Sequence, residues 1–203
     1  MMPIITSYYT LDTPYYQVMH DYLIPSIHKW NLRSDIRGVR NRGSWLANTS
    51  YKSEFILKML NKHKEDIVFL DADAEILEYP ILFEQIPDNY KLAFHYLDRS
   101  KWYNIPLQEP FELLSGTSYF RYCPETIDVV SKWVEKCKER PDVWEQKLLQ
   151  KTLEPVSDII YQLPIEYTWI ATLPNGMNPN VEPNGSVVIR HNQVSRSLKD
   201  KVC

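Results

Sequence analysis

The chain has 203 residues, 44% hydrophobic and 13% aromatic, which suffices for one domain with a sizeable core and is short for two. A net charge of −3 with no dominant basic stripe argues against nucleic acid as a partner. Three widely spaced cysteines, Cys123, Cys137 and Cys203, suit neither a disulfide framework nor a zinc site.

Strand-like and helix-like segments alternate along the chain, the pattern of an α/β layer fold. The run at residues 4–9 is β-branched and aromatic and predicts a first strand. Asp12 or Thr13 caps a helix with Pro14 in its first turn; it runs to about Trp30 and is kinked or split at Pro25. Residues 36–39 predict a second strand, and Gly38 and Gly43 bracket the basic loop Arg40-Asn41-Arg42. From about Thr49 the apolar positions Phe55, Ile56, Met59 and Leu60 have helical spacing. Residues 67–70 are too apolar for a solvated face and belong at the sheet centre. Residues 90–97 predict a further strand, 98–110 a surface loop rich in charge and aromatics, and 117–122 a strand. A helix over 124–139 turns Ile127, Val130, Val134 and Cys137 to one side, and a second covers 143–153. Late strands at 158–163 and 186–189 flank a stretch punctuated by Pro174, Asn175, Gly176 and Pro179. The opening MMPIITSYYT lacks the charged and long apolar regions of a signal peptide. No apolar run approaches the roughly 18 residues of a membrane helix. The expectation is a cytoplasmic protein without a membrane segment. With no repeat, low-complexity tract or linker, residues 1–203 read as a single domain, a mixed, mostly parallel sheet flanked by helices.

Residues 67–74 read IVFLDADA, so the most apolar short stretch runs straight into two aspartates. In a strand, residues two apart face the same way, so Asp71 and Asp73 point together beyond its carboxyl end. Open α/β sheets bind ligands there. Two like charges about 4 Å apart cost about 1 kcal/mol in water and about 4 kcal/mol near a protein surface. A divalent cation would remove that repulsion and could grip a phosphate, and Ala72 and Ala74 are small enough to let a ligand approach. Three readings compete at this point. In one the aspartates cap a turn and face water. In another they are the nucleophile and acid of a haloacid-dehalogenase-like phosphatase. That motif usually lies near the start of a chain with a small or β-branched residue two places on, whereas here about seventy residues precede it and Glu75 holds that place. In the third they hold a metal-bound diphosphate of a nucleotide sugar.

The surrounding residues carry a resemblance. SWLANTSYKSEFILKML followed by IVFLDADAEILEYP resembles the GT-A type glycosyltransferases of the nucleotide-diphospho-sugar transferase group. Similar blocks follow in that family's order: ELLSGTSYF, VWEQKLLQ, LPIEYTWI and VVIRHNQVSR. The resemblance implies a GT-A (Rossmann-like) fold and a divalent metal, manganese preferred with magnesium as the alternative. It also implies a nucleotide-diphosphate sugar donor, UDP by default, while the acceptor stays open, a glycan among the candidates. A non-catalytic nucleotide-sugar-binding module is a further alternative. A sugar-1-phosphate nucleotidyltransferase ranks lower, because no glycine-rich basic loop follows the first strand.

Asp73, further out from the strand, is the better direct ligand; Asp71 takes ribose hydroxyls or a metal-bound water. The resemblance places His191 as the carboxy-terminal histidine that completes the metal shell, a mixed O/N set compatible with Mn²⁺. It also suggests that Lys52, Arg190 or Arg196 neutralises the departing diphosphate, with Arg196 and Lys199 closing over the donor. Ser115 and Gly116 would border the donor sugar. Glu145 and Gln146 are left polar at the start of a helix that Leu148 and Leu149 anchor. Glu145 would deprotonate the acceptor hydroxyl in an inverting reaction, or stabilise positive charge on the sugar in a retaining one. It is one methylene longer than the aspartate common at this place. One of Tyr8 and Tyr9, at the end of the first strand, would stack on the base, with Ser7 and Thr10 at base or ribose edges. Trp45 and Trp169 are read as core or pocket wall.

Overall fold

The computed structural model describes residues 1–170, 172–173 and 176–198. Pro174, Asn175, Lys199 and Cys203, named above, lie outside the described residues.

The centre is the short strand β3 (Ile67–Leu70), all four residues buried. Alternation sends its side chains to both faces. Ile67 and Phe69 join one core with Phe55, Ile56, Leu60, Val130 and Trp133. Val68 and Leu70 join another with Met19, Leu23, Ile27, Phe83 and Tyr119. β1 (Ile4–Thr10) runs parallel to β3 on one side and to β2 (Ser34–Val39) on its own far side. β6 (Phe111–Phe120) pairs antiparallel with β3 and with β5 (Leu92–Asp98), and β7 (Ile160–Gln162) closes the sheet parallel to β5. The order is β2-β1-β3-β6-β5-β7, with three of five pairings parallel, so the expected mixed, mostly parallel α/β sheet is what forms. Helices α3 (Trp45–His63), α5 (Pro124–Glu139) and α6 (Glu145–Leu153) pack on one face, and α1 (Tyr15–Asp21) and α2 (Leu23–Lys29) on the other. Ser44 caps α3 by accepting from Ala47 N–H (3.1 Å), so that helix starts earlier than its apolar spacing alone indicates. Among the described residues no helix is long and apolar enough to cross a membrane.

Several elements differ from expectation. The helix expected to reach about Trp30 with a kink or split at Pro25 is indeed split, but at Tyr22 (φ −119°, ψ −70°) rather than at the proline. Pro25 falls in the first turn of α2, where its missing N–H costs nothing. The surface loop expected over 98–110 contains α4 (Arg99–Tyr103), capped by Asp98 and anchored by Trp102 at 2% exposure. A five-residue helix is too short to show periodicity, and Trp102 packs with Leu97 of the preceding strand and with the remote Leu173. β6 starts at Phe111, earlier than expected, because its register against β5 shifts between Ala93 and His95 and the strand runs on through Ser115-Gly116. A second, three-stranded sheet, β4 (Ala74–Ile76), β9 (Ile189–His191) and β8 (Trp169–Ile170) in order β4-β9-β8, was not foreseen. The late strand expected at 186–189 is β9, displaced so that His191 lies within it.

Asp35 on β2 is 8% exposed and meets Lys62 and His63 at the end of α3 together with Arg37. Burial raises its pKa, but hydrogen bonds from Lys62, Arg37 and His63 outweigh that and bring it to about 2. A depressed carboxylate stabilises the fold above its unfolded pKa and loses that contribution as pH falls through the folded value. Asp35→Asn is therefore expected to cost about 1–2 kcal/mol at pH 7, discounted because Lys62 and Arg37 are half exposed. Urea denaturation should show the difference from the parent shrinking between pH 4 and pH 2, down to the pKa of about 2.

Candidate active site

Beyond β3 the chain turns at Asp71-Ala72-Asp73. Asp71 N–H donates to Gly116 O (2.9 Å) and Ala74 N–H to Asp71 O (3.0 Å), which pins the turn to β6. β4 then pairs antiparallel with β9, with Ala74 opposite His191, and that register brings the imidazole to the carboxylates. One ligand atom from each of Asp71, Asp73 and His191 lies within 4.8 Å of the others. His191 Nδ1 is 3.6 Å from Asp73 Oδ1, and Nε2 is 2.8 Å from Thr117 Oγ1. Asp73 Oδ2 accepts from Val194 N–H (3.0 Å), and Asn192 donates twice to Asp73 O, from its backbone N–H (3.1 Å) and its side-chain amide (3.0 Å). Two carboxylates and an imidazole suit a divalent cation such as Mn²⁺.

Behind this group lies a buried charge network. Lys52 on α3 reaches Asp71 Oδ1 (2.9 Å), Glu145 Oε1 (3.2 Å) and Ser115 Oγ (3.1 Å). Burial works against the charge on Lys52, but Asp71 and Glu145 outweigh it and hold its pKa above the ordinary lysine value. Glu145, 1% exposed, has its pKa raised, by burial first and by Asp71, against the lowering pull of Lys52 and the Gln146 N–H. Its Oε2 is buried without a hydrogen-bond partner among the described residues. Gln146 Oε1 accepts from Ser115 N–H (3.0 Å) and Ser115 Oγ (3.1 Å), and its amide donates to Glu112 (3.0 Å), fixing its orientation.

These groups line a cavity of about 460 Å³. Of the residues singled out in the sequence, Tyr8, Tyr9, Thr10, Lys52, Asp71, Ala72, Asp73, Ser115, Gly116, Glu145, Gln146, His191 and Arg196 all border it. Ser7 does not; it is fully buried. The Tyr8 hydroxyl donates to Asn48 O (2.8 Å) and its ring packs on Phe55 (5.0 Å), whereas Tyr9 packs at the surface on Tyr16 (5.5 Å) and His20. Arg196 donates to Thr172 O (2.8 Å) at the cavity edge, while Arg190 is paired with Glu75 (2.6 Å) outside it. Trp45 is half-buried wall and pairs with Trp144 (ring centroids 5.9 Å), while Trp169 packs on Trp102 (5.5 Å).

The fold matches that of a glycosyltransferase involved in the glycosylation of the major capsid of PBCV-1, with a TM-score of 0.66 at 14% identity over 98% of each chain. Mouse xyloside xylosyltransferase 1, in its apo form, gives 0.59 at 10% identity, covering 97% of this chain and 99% of that one. The apo bifunctional glycosyltransferase WbbM gives 0.67 at 12% identity, over 95% of this chain and 46% of that one. The chain shares a glycosyltransferase fold. At these identities the likeness establishes the fold and nothing finer. No family model and no curated protein matches the sequence.

Within that fold, several cavity residues carry no signal in the sequence. Trp144 and Tyr15 look like ordinary amphipathic positions, and only the meeting of α1, α3 and α6 turns them to the cavity. Gly116 has a clearer requirement. A Cβ there would lie 2.8 Å from His191 Cε1 and 3.0 Å from Asp71 Oδ2. Thr117 holds the first of these groups and Lys52 the second, so neither yields freely. Gly116→Ala is expected to fold with a loss of about 1–3 kcal/mol from overpacking. A cation held by the Asp71, Asp73 and His191 group would be crowded by the added methyl, so a Mn²⁺ titration by electron paramagnetic resonance is expected to give weaker binding for this variant than for the parent.

Proposed function

We propose that the chain is one GT-A domain, residues 1–203, and a metal-dependent glycosyltransferase. It moves a sugar from a nucleotide-diphosphate donor, UDP-sugar by default, to an acceptor hydroxyl. The observation that carries this is the convergence of Asp71, Asp73 and His191 within 4.8 Å at the cavity, in a glycosyltransferase fold. Asp73 and His191 would hold the cation, with Asp71 at a ribose hydroxyl or a metal-bound water. The bound metal, Mn²⁺ by preference and Mg²⁺ otherwise, would supply positive charge against the diphosphate as it leaves.

The remaining work falls to the chain's own residues. As the bond from the anomeric carbon to the diphosphate oxygen breaks, negative charge grows on the leaving group. Lys52 and Arg196 face the cavity and oppose that charge. Ser115, Gly116 and Gln146 border the donor sugar, and Tyr9 with Thr10 takes the nucleoside. Tyr8 is less free to do so because its ring and hydroxyl are already engaged. A bond forms from the acceptor oxygen to the anomeric carbon, and the hydroxyl proton leaves. Glu145 receives that proton if configuration inverts, which its raised pKa favours; if configuration is retained, Glu145 offsets charge on the sugar and the departing diphosphate oxygen takes the proton. The acceptor is left open beyond its hydroxyl, with a glycan among the candidates.

A thermal-shift screen of nucleotide sugars with and without Mn²⁺ tests this reading. Binding to the folded state alone raises the melting temperature, so a metal-dependent hit identifies donor and cofactor together. Metal-dependent release of the nucleoside diphosphate should follow for the same donor. Binding without hydrolysis or transfer would indicate a non-catalytic module. Turnover of phosphomonoesters with Mg²⁺ and no nucleotide-sugar binding would indicate the phosphatase. The latter is disfavoured because the group beside Asp71 and Asp73 is completed by a histidine and no further carboxylate among the described residues.

A further inference from the structure

We infer that Thr117 is a positioning residue for the cation: it holds His191 so that Nδ1, not Nε2, is the nitrogen presented to the metal. This rests on the metal-site reading above and goes beyond it. Thr117 is fully buried and His191 is 4% exposed, with Thr117 Oγ1 and His191 Nε2 2.8 Å apart. The opposite nitrogen, Nδ1, faces Asp73 Oδ1 at 3.6 Å. The absent side chain of Gly116 defines the space between the ligands. A Cβ there would lie 3.1 Å from His191 Nδ1 and 3.0 Å from Asp71 Oδ2, so these two atoms border the same gap. Nδ1 thus shares its surroundings with both carboxylates, while Nε2 is turned into β6.

The chemistry of imidazole makes the Thr117 contact consequential. A neutral ring has one N–H and one lone pair. When Nδ1 gives its lone pair to a cation, the remaining proton must reside on Nε2. Buried there, that N–H needs an acceptor, and Thr117 Oγ1 is at hydrogen-bond distance to be one. Without it the ring gains by reversing its tautomer, which puts the proton on Nδ1 and aims it at Asp73, removing a ligand and occupying a second. Partners that fix the ring of a metal-binding histidine typically carry about 10–100-fold of the metal affinity.

The decisive experiment is a Mn²⁺ titration, followed by electron paramagnetic resonance, of the full chain and of Thr117→Val and Thr117→Ser. Thr117→Val keeps the shape but lacks the acceptor, and is expected to bind Mn²⁺ about 10–100-fold more weakly. Thr117→Ser keeps the hydroxyl and should bind close to the parent. In the ¹⁵N-labelled parent, Cd²⁺ should shift His191 Nδ1 while Nε2 retains its proton; this readout needs no variant and stands even if Thr117→Val fails to fold. Metal bound through Nε2, or parent-like Mn²⁺ affinity in Thr117→Val, overturns the inference while leaving a metal-dependent enzyme intact. A parent that binds neither ion overturns the metal reading and the inference with it.

Discussion

Asp73→Ala is expected to abolish metal-dependent hydrolysis of the donor sugar nucleotide while leaving the protein folded. Asp73 is 8% exposed and contributes its two oxygens to different tasks. Oδ1 faces His191, and Oδ2 accepts from Val194 N–H at 3.0 Å. In the proposed metal site truncation removes a charged ligand, and the loss should exceed the roughly 100-fold that a merely orienting partner carries. The structural cost is one hydrogen bond, about 1 kcal/mol. Asp73→Asn separates the two tasks, because an amide oxygen can still accept from Val194 while the charge is gone. It should melt within a degree or two of the parent and still fail to bind Mn²⁺. Nucleoside diphosphate release, Mn²⁺ titration and thermal melts on the three proteins check this. Full metal-dependent turnover in either variant removes Asp73 from the role assigned to it.

The second large effect is on stability. Lys52 is 5% exposed and is shared between Asp71 and Glu145. Lys52→Met leaves Glu145 buried and uncompensated, which costs about 3–5 kcal/mol at neutral pH and above. The sign with pH follows from Glu145. Its folded pKa is already raised, and Lys52 is the main influence lowering it, so removing Lys52 raises it further. A carboxyl with a raised folded pKa favours the fold at low pH, and that contribution is lost as pH rises from the unfolded value through the folded one. The deficit of Lys52→Met should therefore be small near pH 4 and grow toward pH 8. Adding Glu145→Gln should recover much of it, because neither partner is then charged. Denaturant unfolding of both single variants and the double variant, at the two pH values, reads the coupling. Equal losses with and without Glu145→Gln would show that the two groups act independently. All three variants should lose catalysis.

The sequence shows some parts of this site plainly and hides others. Asp71 and Asp73 stand out because an apolar run ending in two carboxylates is a local feature, read from IVFLDADA, although the turn after β3, and not the expected strand alternation, sets how they face. The buried face of α3 is visible in the spacing of Phe55, Ile56, Met59 and Leu60. Trp102 was not, because the helix that carries it is a single turn and its partner Leu173 comes from a remote segment. The roles of Thr117 and Trp144 were hidden for the same reason: each depends on a neighbour far away in the chain, His191 for one and Trp45 for the other.

The amino-acid sequence by itself determined the α/β alternation, the central apolar strand and the presence of two carboxylates directly after it, since each is legible within a few consecutive residues. Only the tertiary structure decided that β9 pairs with β4 in the register that sets His191 opposite Ala74, and that Lys52, Ser115 and Glu145 meet behind Asp71. Those meetings are choices between distant segments, made by which packing buries the most apolar surface while leaving each buried charge a partner, and no local pattern encodes them.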